Sequence, residues 1–363
     1  MRTGLLWINY HYINIMVHQL GITEFLEQSQ GHLALDVRSE GEYEHGRIPG
    51  TVNLPLFNNL EREIVGTAYK QKSKREATLL GLDFASKKMC DFVRFIQPKL
   101  KDNKVFVHCW RGGMRSESMA WLFNLFEHEV FILQGGYKSF RNHVLEVLDK
   151  PLNYVVLGGR TGSGKTAILH QLKTLGEQVI DLEGLAHHKG SAFGALGQLH
   201  PQPSNEQFEN ILAMQLKDFD LERRVWVEDE SRSVGKVILP ELFWKRLSLA
   251  PSMIINLPFE VRVERLKADY GENEVEGLRN SINNIKKRLG PDCSEKAFCA
   301  LEQKDFAGVA RLVLGYYDKL YDKGIANKLN PNVRHLDFAT DQIDHIAKHL
   351  QETDLESMSA IKR

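Results

Sequence analysis

The sequence Cys-Trp-Arg-Gly-Gly-Met-Arg-Ser, which begins at Cys109, contains residue types whose spacing could support covalent chemistry. It follows the apolar run 104–108, which predicts a buried strand, and it precedes a predicted helix. A thiol at such a junction faces backbone N–H groups and the positive end of the helix dipole. Together with the charges of Arg111 and Arg115, this environment favours the thiolate. Cys109 is therefore predicted to be a catalytic nucleophile, and a buried core thiol is the simpler alternative.

The loop around Cys109 has the composition of an anion-binding site. Gly112 and Gly113 allow the backbone to curl tightly, with its N–H groups turned inward. A loop of this kind can hold a phosphate-like anion or a chalcogen anion that is bound to the cysteine. The residues predicted to form it are Arg111, Gly112, Gly113, Arg115 and Ser116.

A second site is indicated by Gly-Arg-Thr-Gly-Ser-Gly-Lys-Thr at 159–166, which fits the P-loop pattern G-x-x-x-x-G-K-[ST] in full. It follows a predicted strand at 153–158 and opens a predicted helix, which is the context that the motif requires. Lys165 supplies a cation, and the Thr166 hydroxyl can reach a Mg²⁺ ion. ATP or GTP is the default ligand, although another diphosphate could use the same cradle. The predicted phosphate-binding residues are Gly159, Gly162, Ser163, Gly164, Lys165 and Thr166.

Carboxylates follow another predicted strand, Arg224–Glu228. In P-loop proteins a carboxylate at such a strand end holds Mg²⁺ or positions a nucleophile, which makes Asp229 the first candidate and Glu230 the second. A solvated acidic turn is the alternative for each of them. Arg262 and Arg265, three residues apart on a predicted helix, could face a phosphate or simply face water. No metal site is predicted, because the four cysteines lack the spacing of a zinc motif.

Strand and helix signals alternate along the chain, which predicts an α/β fold built on parallel sheets. Further strands are predicted at 32–37, 130–133, 179–182 and 253–257, and helices at 116–126 and 166–175. A length of 363 residues suggests two domains, with a boundary near Pro151. We therefore expect an N-terminal extension at 1–16, a first domain at 17–148 and a P-loop domain at 149–363.

Composition excludes several classes of protein. Equal numbers of basic and acidic residues, 47 of each, leave no global field that would attract nucleic acid, so RNA binding would need a local patch. No stretch has the roughly 18–20 consecutive apolar residues of a membrane span, and the N-terminal segment lacks the features of a signal peptide. Few cysteines and a predicted free thiol favour a reducing, cytoplasmic location.

The segment 36–55, with Asp-Val-Arg-Ser-Glu at its start and Gly-Arg-Ile-Pro-Gly-Thr within it, resembles the signature of the rhodanese domain. Leu-Gln-Gly-Gly-Tyr at 133–137 is similar to the final strand and turn of that fold. This resemblance implies sulfurtransferase chemistry in which Cys109 carries the transferred atom. The Cys-x5-Arg spacing from Cys109 to Arg115 also fits the dual-specificity phosphatases of the cell cycle, which share the fold. The loop alone leaves phosphatase chemistry open.

The rhodanese-like and P-loop segments together resemble the tRNA 2-selenouridine synthase family. The active loop at 109–116 resembles that of the family, and so do 182–194, 202–204 and 228–231. The resemblance implies a transferase that replaces the sulfur of wobble 2-thiouridine in tRNA by selenium from selenophosphate. It also implies an S-geranylated intermediate made from geranyl diphosphate, with Cys109 as the selenium carrier and tRNA as the partner.

Two other hypotheses remain open at the level of sequence. One is a rhodanese-fold sulfurtransferase or phosphatase coupled to an ATPase or GTPase domain. The other is a nucleotide-dependent binding protein whose rhodanese module only docks partners, although such a module would not need the nucleophile Cys109.

Overall fold

A computed structural model of the chain describes residues 16–190, 200–270, 275–326 and 332–353. The predicted N-terminal extension at 1–16 lies outside these ranges except for Met16, and so does the part of the 182–194 segment that follows Gly190. The chain divides into two compact units, residues 1–146 and residues 147–363.

The first unit is built on a five-stranded sheet in which each neighbouring pair of strands is parallel. Its strands are β1 Val17–Leu20, β2 Leu33–Asp36, β3 Val52–Asn53, β4 Lys104–His108 and β5 Glu129–Leu133. The order across the sheet is β1-β5-β4-β2-β3, which places β4 in the centre. The strand that leads into Cys109 is therefore buried between neighbours on both sides.

In the described part of this unit, helices lie between and after these strands, and polar caps set where several of them begin. In α2 the Ser39 side chain and the Glu42 side chain form a capping box, and Asn58 with Glu61 does the same for α3. The helices are α1 Ile22–Gln28, α2 Glu40–His45, α3 Asn59–Gln71, α4 Lys74–Ser86, α5 Met89–Ile96, α6 Met114–Asn124 and α7 Gly136–Leu148.

The second unit has its own five-stranded parallel sheet, with the order β12-β11-β6-β8-β7. Its central strand β6 runs directly into the P-loop. The sheet strands are β6 Asn153–Gly159, β7 Gln178–Ile180, β8 Arg224–Glu228, β11 Ser252–Asn256 and β12 Val333–Asp337. A short antiparallel pair, β9 Ser233–Val234 and β10 Val237–Ile238, follows β8.

The helices of the second unit fall into two groups. Those interleaved with the strands are α8 Lys165–Thr174, α9 Leu182–Ala186, α10 Asn205–Leu216, α11 Glu241–Leu249, α12 Phe259–Tyr270 and α16 Ile343–Glu352. The others, α13 Val275–Leu289, α14 Pro291–Glu302 and α15 Phe306–Ala326, pack around an apolar cluster of their own. No described helix is long and apolar enough to cross a membrane.

The predicted α/β class with two parallel sheets is confirmed. One strand boundary was wrong: the strand predicted at 179–182 ends at Ile180, and Leu182 begins a helix instead. The cause is Asp181, whose side chain accepts a hydrogen bond from the Gly184 N–H at 2.6 Å and caps α9. Sequence analysis also gave no expectation of β1, β3 or β12.

Candidate functional site

Cys109 follows the end of β4 and is nearly inaccessible, with 4% of its surface exposed. Its sulfur lies 3.3 Å from the hydroxyl of Ser116, one turn into α6. The same hydroxyl lies 2.9 Å from the carbonyl oxygen of Gly113. The predicted nucleophile is therefore held against the N-terminus of a helix, as the sequence suggested.

Opposing effects act on the Cys109 thiol. Burial raises its pKa, but hydrogen bonds from the Ser116 side chain and the Arg111 backbone N–H, together with the charge of Arg115, lower it by more. The net result is a pKa below that of an ordinary thiol. Because the thiolate is the nucleophilic form, this loop increases the reactive fraction of Cys109 near neutral pH.

Two glycines let the loop fold around the sulfur. Gly112 has φ +67°, and a Cβ there would lie 2.7 Å from the carbonyl oxygen of Leu133. Gly136 has φ +61°, and a Cβ there would collide with the carbonyl oxygen of Cys109. Behind the loop, the N–H of Tyr137 donates to that same oxygen at 2.8 Å. The backbone of the loop is thus fixed by close contact with the turn after β5.

The two arginines of the loop play different parts. Arg115 forms an ion pair with Glu42, with nitrogen–oxygen distances of 2.8 and 3.4 Å, which fixes its guanidinium group beside the loop. Arg111 is exposed and has no ion pair among the described residues. One arginine is therefore held in position by the protein, whereas the other is free to contact an incoming anion.

Arg38, a buried arginine that was not predicted as a site residue, supports the Cys109 loop through its contact with Tyr137. Arg38 is 1% exposed, and its guanidinium group binds Asp36 at 2.6 Å and lies 3.8 Å from the centre of the Tyr137 ring. Tyr137 in turn holds the Cys109 carbonyl. The only available signal was the Asp-Val-Arg of the rhodanese-like segment, to which no role had been given.

Next to the loop lies a cavity of about 1030 Å³ between α3, α4 and α6. Arg111, Met114 and Arg115 belong both to the loop and to the wall of the cavity. Most of the remaining wall is apolar, including Leu56, Phe57, Val65, Leu82, Met89 and Trp121. A group that entered this cavity would lie beside the Cys109 loop in a largely apolar environment.

The P-loop of the second unit lies between a strand and a helix, as predicted, and its backbone turns at glycines with positive φ. It joins the end of β6 to the start of α8, and Gly162 and Gly164 have φ values of +82° and +77°. The Lys165 amino group reaches back to the Gly159 carbonyl oxygen at 3.2 Å. Ser163 is buried, and its hydroxyl has no hydrogen-bond partner among the described residues. These are donors that a phosphate chain would satisfy.

A group of carboxylates adjoins the P-loop, and part of it was not predicted. The Thr166 hydroxyl donates to Glu183 at 3.0 Å, and the Glu183 backbone N–H donates to Glu228 at 3.1 Å. Burial and the nearby Glu183 raise the pKa of Glu230 to about 8, although Lys165 opposes the shift. Burial, with Asp181 and Glu183, also raises the pKa of Glu228. Glu230 therefore retains its proton near neutral pH.

The other predicted residues of this unit lie as follows. Asp229 comes directly after β8 and lies 3.3 Å from the hydroxyl of Tyr321. Arg265 borders the P-loop, since a Cβ on Gly164 would lie 2.7 Å from its guanidinium carbon. Arg262 does not face water: it is 3% exposed, forms an ion pair with Asp318 at 2.8 Å and donates to the carbonyl oxygen of Thr161 in the P-loop at 3.2 Å.

In the ranges that the structure describes, no three His, Cys, Asp or Glu side chains are placed to hold a metal ion together. The predicted residues thus form two groups, the Cys109 loop in the first unit and the P-loop with its carboxylates in the second. Glu42 and Glu183 are the functional candidates that sequence reasoning missed. Each pairs with a site residue that is distant along the chain, so no local pattern identifies it.

Comparison with known proteins places these two groups in context. The tRNA 2-selenouridine synthase AAA domain matches residues 152–356, and the rhodanese-like domain matches residues 22–143. The chain belongs to the tRNA 2-selenouridine synthase family. A tRNA 2-selenouridine synthase from Sulfurovum sp. (strain NBC37-1) is 36% identical over 332 residues, which is 79% of this chain and 87% of the relative.

Another relative and one solved structure complete the comparison. The tRNA 2-selenouridine synthase from Pseudomonas syringae pv. syringae (strain B728a) is 34% identical over 347 residues, covering 86% of this chain and 93% of its own. A solved N-terminal domain from Clostridium difficile 630 is 37% identical and covers 35% of this chain and 98% of its own, with a TM-score of 0.32. The predicted family is therefore confirmed over most of the chain by the relatives.

Proposed function

We propose that the protein is a tRNA 2-selenouridine synthase that replaces the sulfur of wobble 2-thiouridine by selenium from selenophosphate, through an S-geranylated intermediate. The observation that carries the proposal is a nucleophilic thiol, Cys109, in an anion-binding loop beside an apolar cavity, in the same chain as a complete P-loop. The names of its relatives support the tRNA substrate.

The P-loop is proposed to perform the first half-reaction. The sulfur of 2-thiouridine attacks the allylic carbon of geranyl diphosphate, a C–S bond forms, and diphosphate leaves with the electron pair of the C–O bond. Charge grows on the diphosphate in the transition state, and Lys165 with the N–H groups of the loop stabilises it. Because the donor is already activated, this step requires no hydrolysis of ATP.

The Mg²⁺ ion that a P-loop commonly uses is proposed to bind at Thr166 and Glu183, whose oxygens lie 3.0 Å apart. Mg²⁺ retains several water ligands and is held by few protein oxygens together with those of the phosphates, which is consistent with so small a set. When bound, it would help to neutralise the diphosphate.

The Cys109 loop is proposed to perform the second half-reaction, in which selenium displaces the geranylated sulfur. Alkylation makes that sulfur a better leaving group than the sulfur of 2-thiouridine. The apolar cavity supports this proposal, because a purely polar RNA substrate would gain nothing from such walls, whereas a ten-carbon chain would. The rhodanese resemblance implies that Cys109 carries the selenium, whereas the Cys-x5-Arg spacing implies that Cys109 attacks the phosphorus of the donor.

Complete conversion with purified components tests the proposed function. Thiolated tRNA, geranyl diphosphate, selenophosphate and Mg²⁺ are incubated with the full chain in the absence of nucleotide, and the nucleosides are analysed by mass spectrometry. We expect 2-selenouridine and a transient S-geranyl nucleoside. Strict dependence on added ATP or GTP, with release of inorganic phosphate from it, would favour the coupled NTPase hypothesis instead.

A further inference from the structure

If Cys109 only carried selenium, the Cys-x5-Arg spacing between Cys109 and Arg115 would have no evident purpose. The selenium of selenophosphate is at the level of selenide, and so is the selenium of 2-selenouridine, so the exchange involves no net oxidation. If the Cys109 thiolate attacked selenium, the S–Se bond would need an oxidant to form with release of phosphate. A reductant would then be needed to deliver the selenium. Attack at phosphorus needs neither.

We propose that Cys109 accepts the phosphoryl group of the selenium donor, forming an S-phosphocysteine that water then hydrolyses. This inference rests on the proposed function, because selenophosphate is taken as the donor. It replaces the predicted selenium carriage by phosphoryl transfer at the same sulfur.

Each step balances without an external oxidant or reductant. First, the selenium of selenophosphate attacks C2 of the S-geranylated base. A C–Se bond forms, the C–S bond breaks, and geranylthiolate leaves and takes up a proton. The Cys109 thiolate then attacks phosphorus, the P–Se bond breaks, and its electron pair remains on the base, which is protonated at N3 to give 2-selenouridine. Finally, water attacks phosphorus, phosphate leaves, and the thiolate of Cys109 is restored.

The geometry of the loop suits a phosphoryl group. The Arg111 backbone N–H bonds to the Cys109 sulfur, and the charge of Arg115 also stabilises the thiolate. Arg115 is held in place by Glu42 at 2.8 Å, and the Arg111 side chain is exposed. Two guanidinium groups in one short loop suit a phosphoryl dianion, which accepts several charge-assisted hydrogen bonds, better than a single selenium atom.

Ser116 provides the second piece of geometric support. Its hydroxyl lies 3.3 Å from the Cys109 sulfur, and rotation of the O–H away from the Gly113 carbonyl oxygen would let it donate to the thiolate. In the last step that thiolate is the leaving group, so Ser116 is expected to promote the hydrolysis of S-phosphocysteine. Ser29, which follows α1 and is not part of the cavity wall, provides a control position for the same substitution.

The test follows the phosphorus and the selenium of selenophosphate separately. The full chain is mixed with RNA bearing preformed S-geranyl-2-thiouridine and with selenophosphate that carries radioactive phosphorus, and samples are quenched rapidly in denaturant. We expect radioactivity on the protein that rises and then falls as 2-selenouridine forms. Peptide mass spectrometry should place a phosphoryl group on Cys109, without the multiple-isotope pattern of selenium. In Ser116→Ala the labelled protein should persist about tenfold longer, and in Ser29→Ala its lifetime should be unchanged.

An aryl phosphate, given to the full chain without RNA, separates this inference from the proposed function. Phosphorylation of Cys109 by the aryl phosphate, without any 2-selenouridine from the selenium donor, would support phosphoryl acceptance and contradict the proposed function. Selenium on Cys109 would overturn the inference. So would 2-selenouridine formation with no phosphorylated Cys109 in either the native protein or Ser116→Ala.

Discussion

The two loops that we propose to bind anions differ in the charged groups around them. Around Cys109, the positive groups dominate: Arg115 is balanced by the single carboxylate of Glu42, and Arg111 is exposed without an ion pair in the described ranges. Around the P-loop, Lys165 lies among carboxylates, and Glu230 retains its proton up to about pH 8. The positive groups of the first loop stabilise an anion of the protein itself, the Cys109 thiolate. In the second, carboxyl groups surround the positive charges of Lys165 and Arg265.

This difference is consistent with a nucleophile in one loop and a leaving group in the other. A nucleophile must be stabilised as an anion before the reaction, whereas a diphosphate leaving group gains its charge during it. The predictions below test each side of this contrast.

The largest effect is expected for Cys109→Ser. The hydroxyl keeps the size of the side chain but is a far weaker nucleophile at neutral pH. We therefore expect the amount of 2-selenouridine formed in tRNA to fall by about a thousandfold or more. Wild-type and variant proteins are compared by mass spectrometry of tRNA nucleosides, with circular dichroism as the control for folding. Normal levels of selenouridine in a folded variant would contradict a covalent role for Cys109.

Removal of the buried cation beneath the first loop should strongly destabilise that unit. Arg38→Met leaves Asp36 buried without its guanidinium partner, and we expect the free energy of unfolding to fall by about 3–5 kcal/mol. Denaturant unfolding monitored by fluorescence gives this value. The double variant Arg38→Met/Asp36→Leu is the matched control, because it removes both charges and should lose less. Equal losses in the two variants would show that packing, rather than the unpaired charge, accounts for the effect.

The apolar cavity offers a more selective change. Gly66 lines it on α3, and a Cβ at this position would have no atom within 4 Å. We expect Gly66→Phe to raise the KM for S-geranylated RNA about tenfold, equivalent to about 1.4 kcal/mol of apolar contact. Gly66→Ala should leave KM unchanged.

An S-methylated RNA serves as the second control, since its short alkyl group would not fill the cavity. If Gly66→Phe raised the KM for both RNAs equally, the cavity would bind some part of the substrate other than the geranyl chain.

The smallest effect concerns Glu230 and pH. Its pKa is about 8 in the folded protein against an ordinary value of 4.5, so the folded state binds more protons than the unfolded state between these values. Stability should therefore fall as pH rises from about 4.5 to 8. Glu230→Gln should flatten this dependence and raise the melting temperature by roughly a few degrees at pH 8 relative to wild type. Melting curves across this range test the prediction, and an unchanged slope would contradict it.

The sequence predicted those parts of the two sites that are local in the chain. Cys109 to Ser116 and Gly159 to Thr166 are continuous loops between a strand and a helix, so spacing and residue type were enough to locate them. Their partners are distant: Glu42 is 73 residues from Arg115, and Asp318 is 56 residues from Arg262. Tertiary packing alone brings such pairs together. The cluster of α13, α14 and α15 is held together by apolar residues and contains no catalytic motif, so its function could not be predicted from the sequence.

The central claim is that the two loops perform separate half-reactions, and one crossed experiment tests it most directly. Cys109→Ser and Lys165→Ala are each given 2-thiouridine RNA with geranyl diphosphate, and separately preformed S-geranyl RNA with selenophosphate. We predict that Cys109→Ser still geranylates but does not form free 2-selenouridine, and that Lys165→Ala does the reverse. Loss of geranylation in a folded Cys109→Ser protein, or loss of selenium insertion from preformed S-geranyl RNA in Lys165→Ala, would contradict the account.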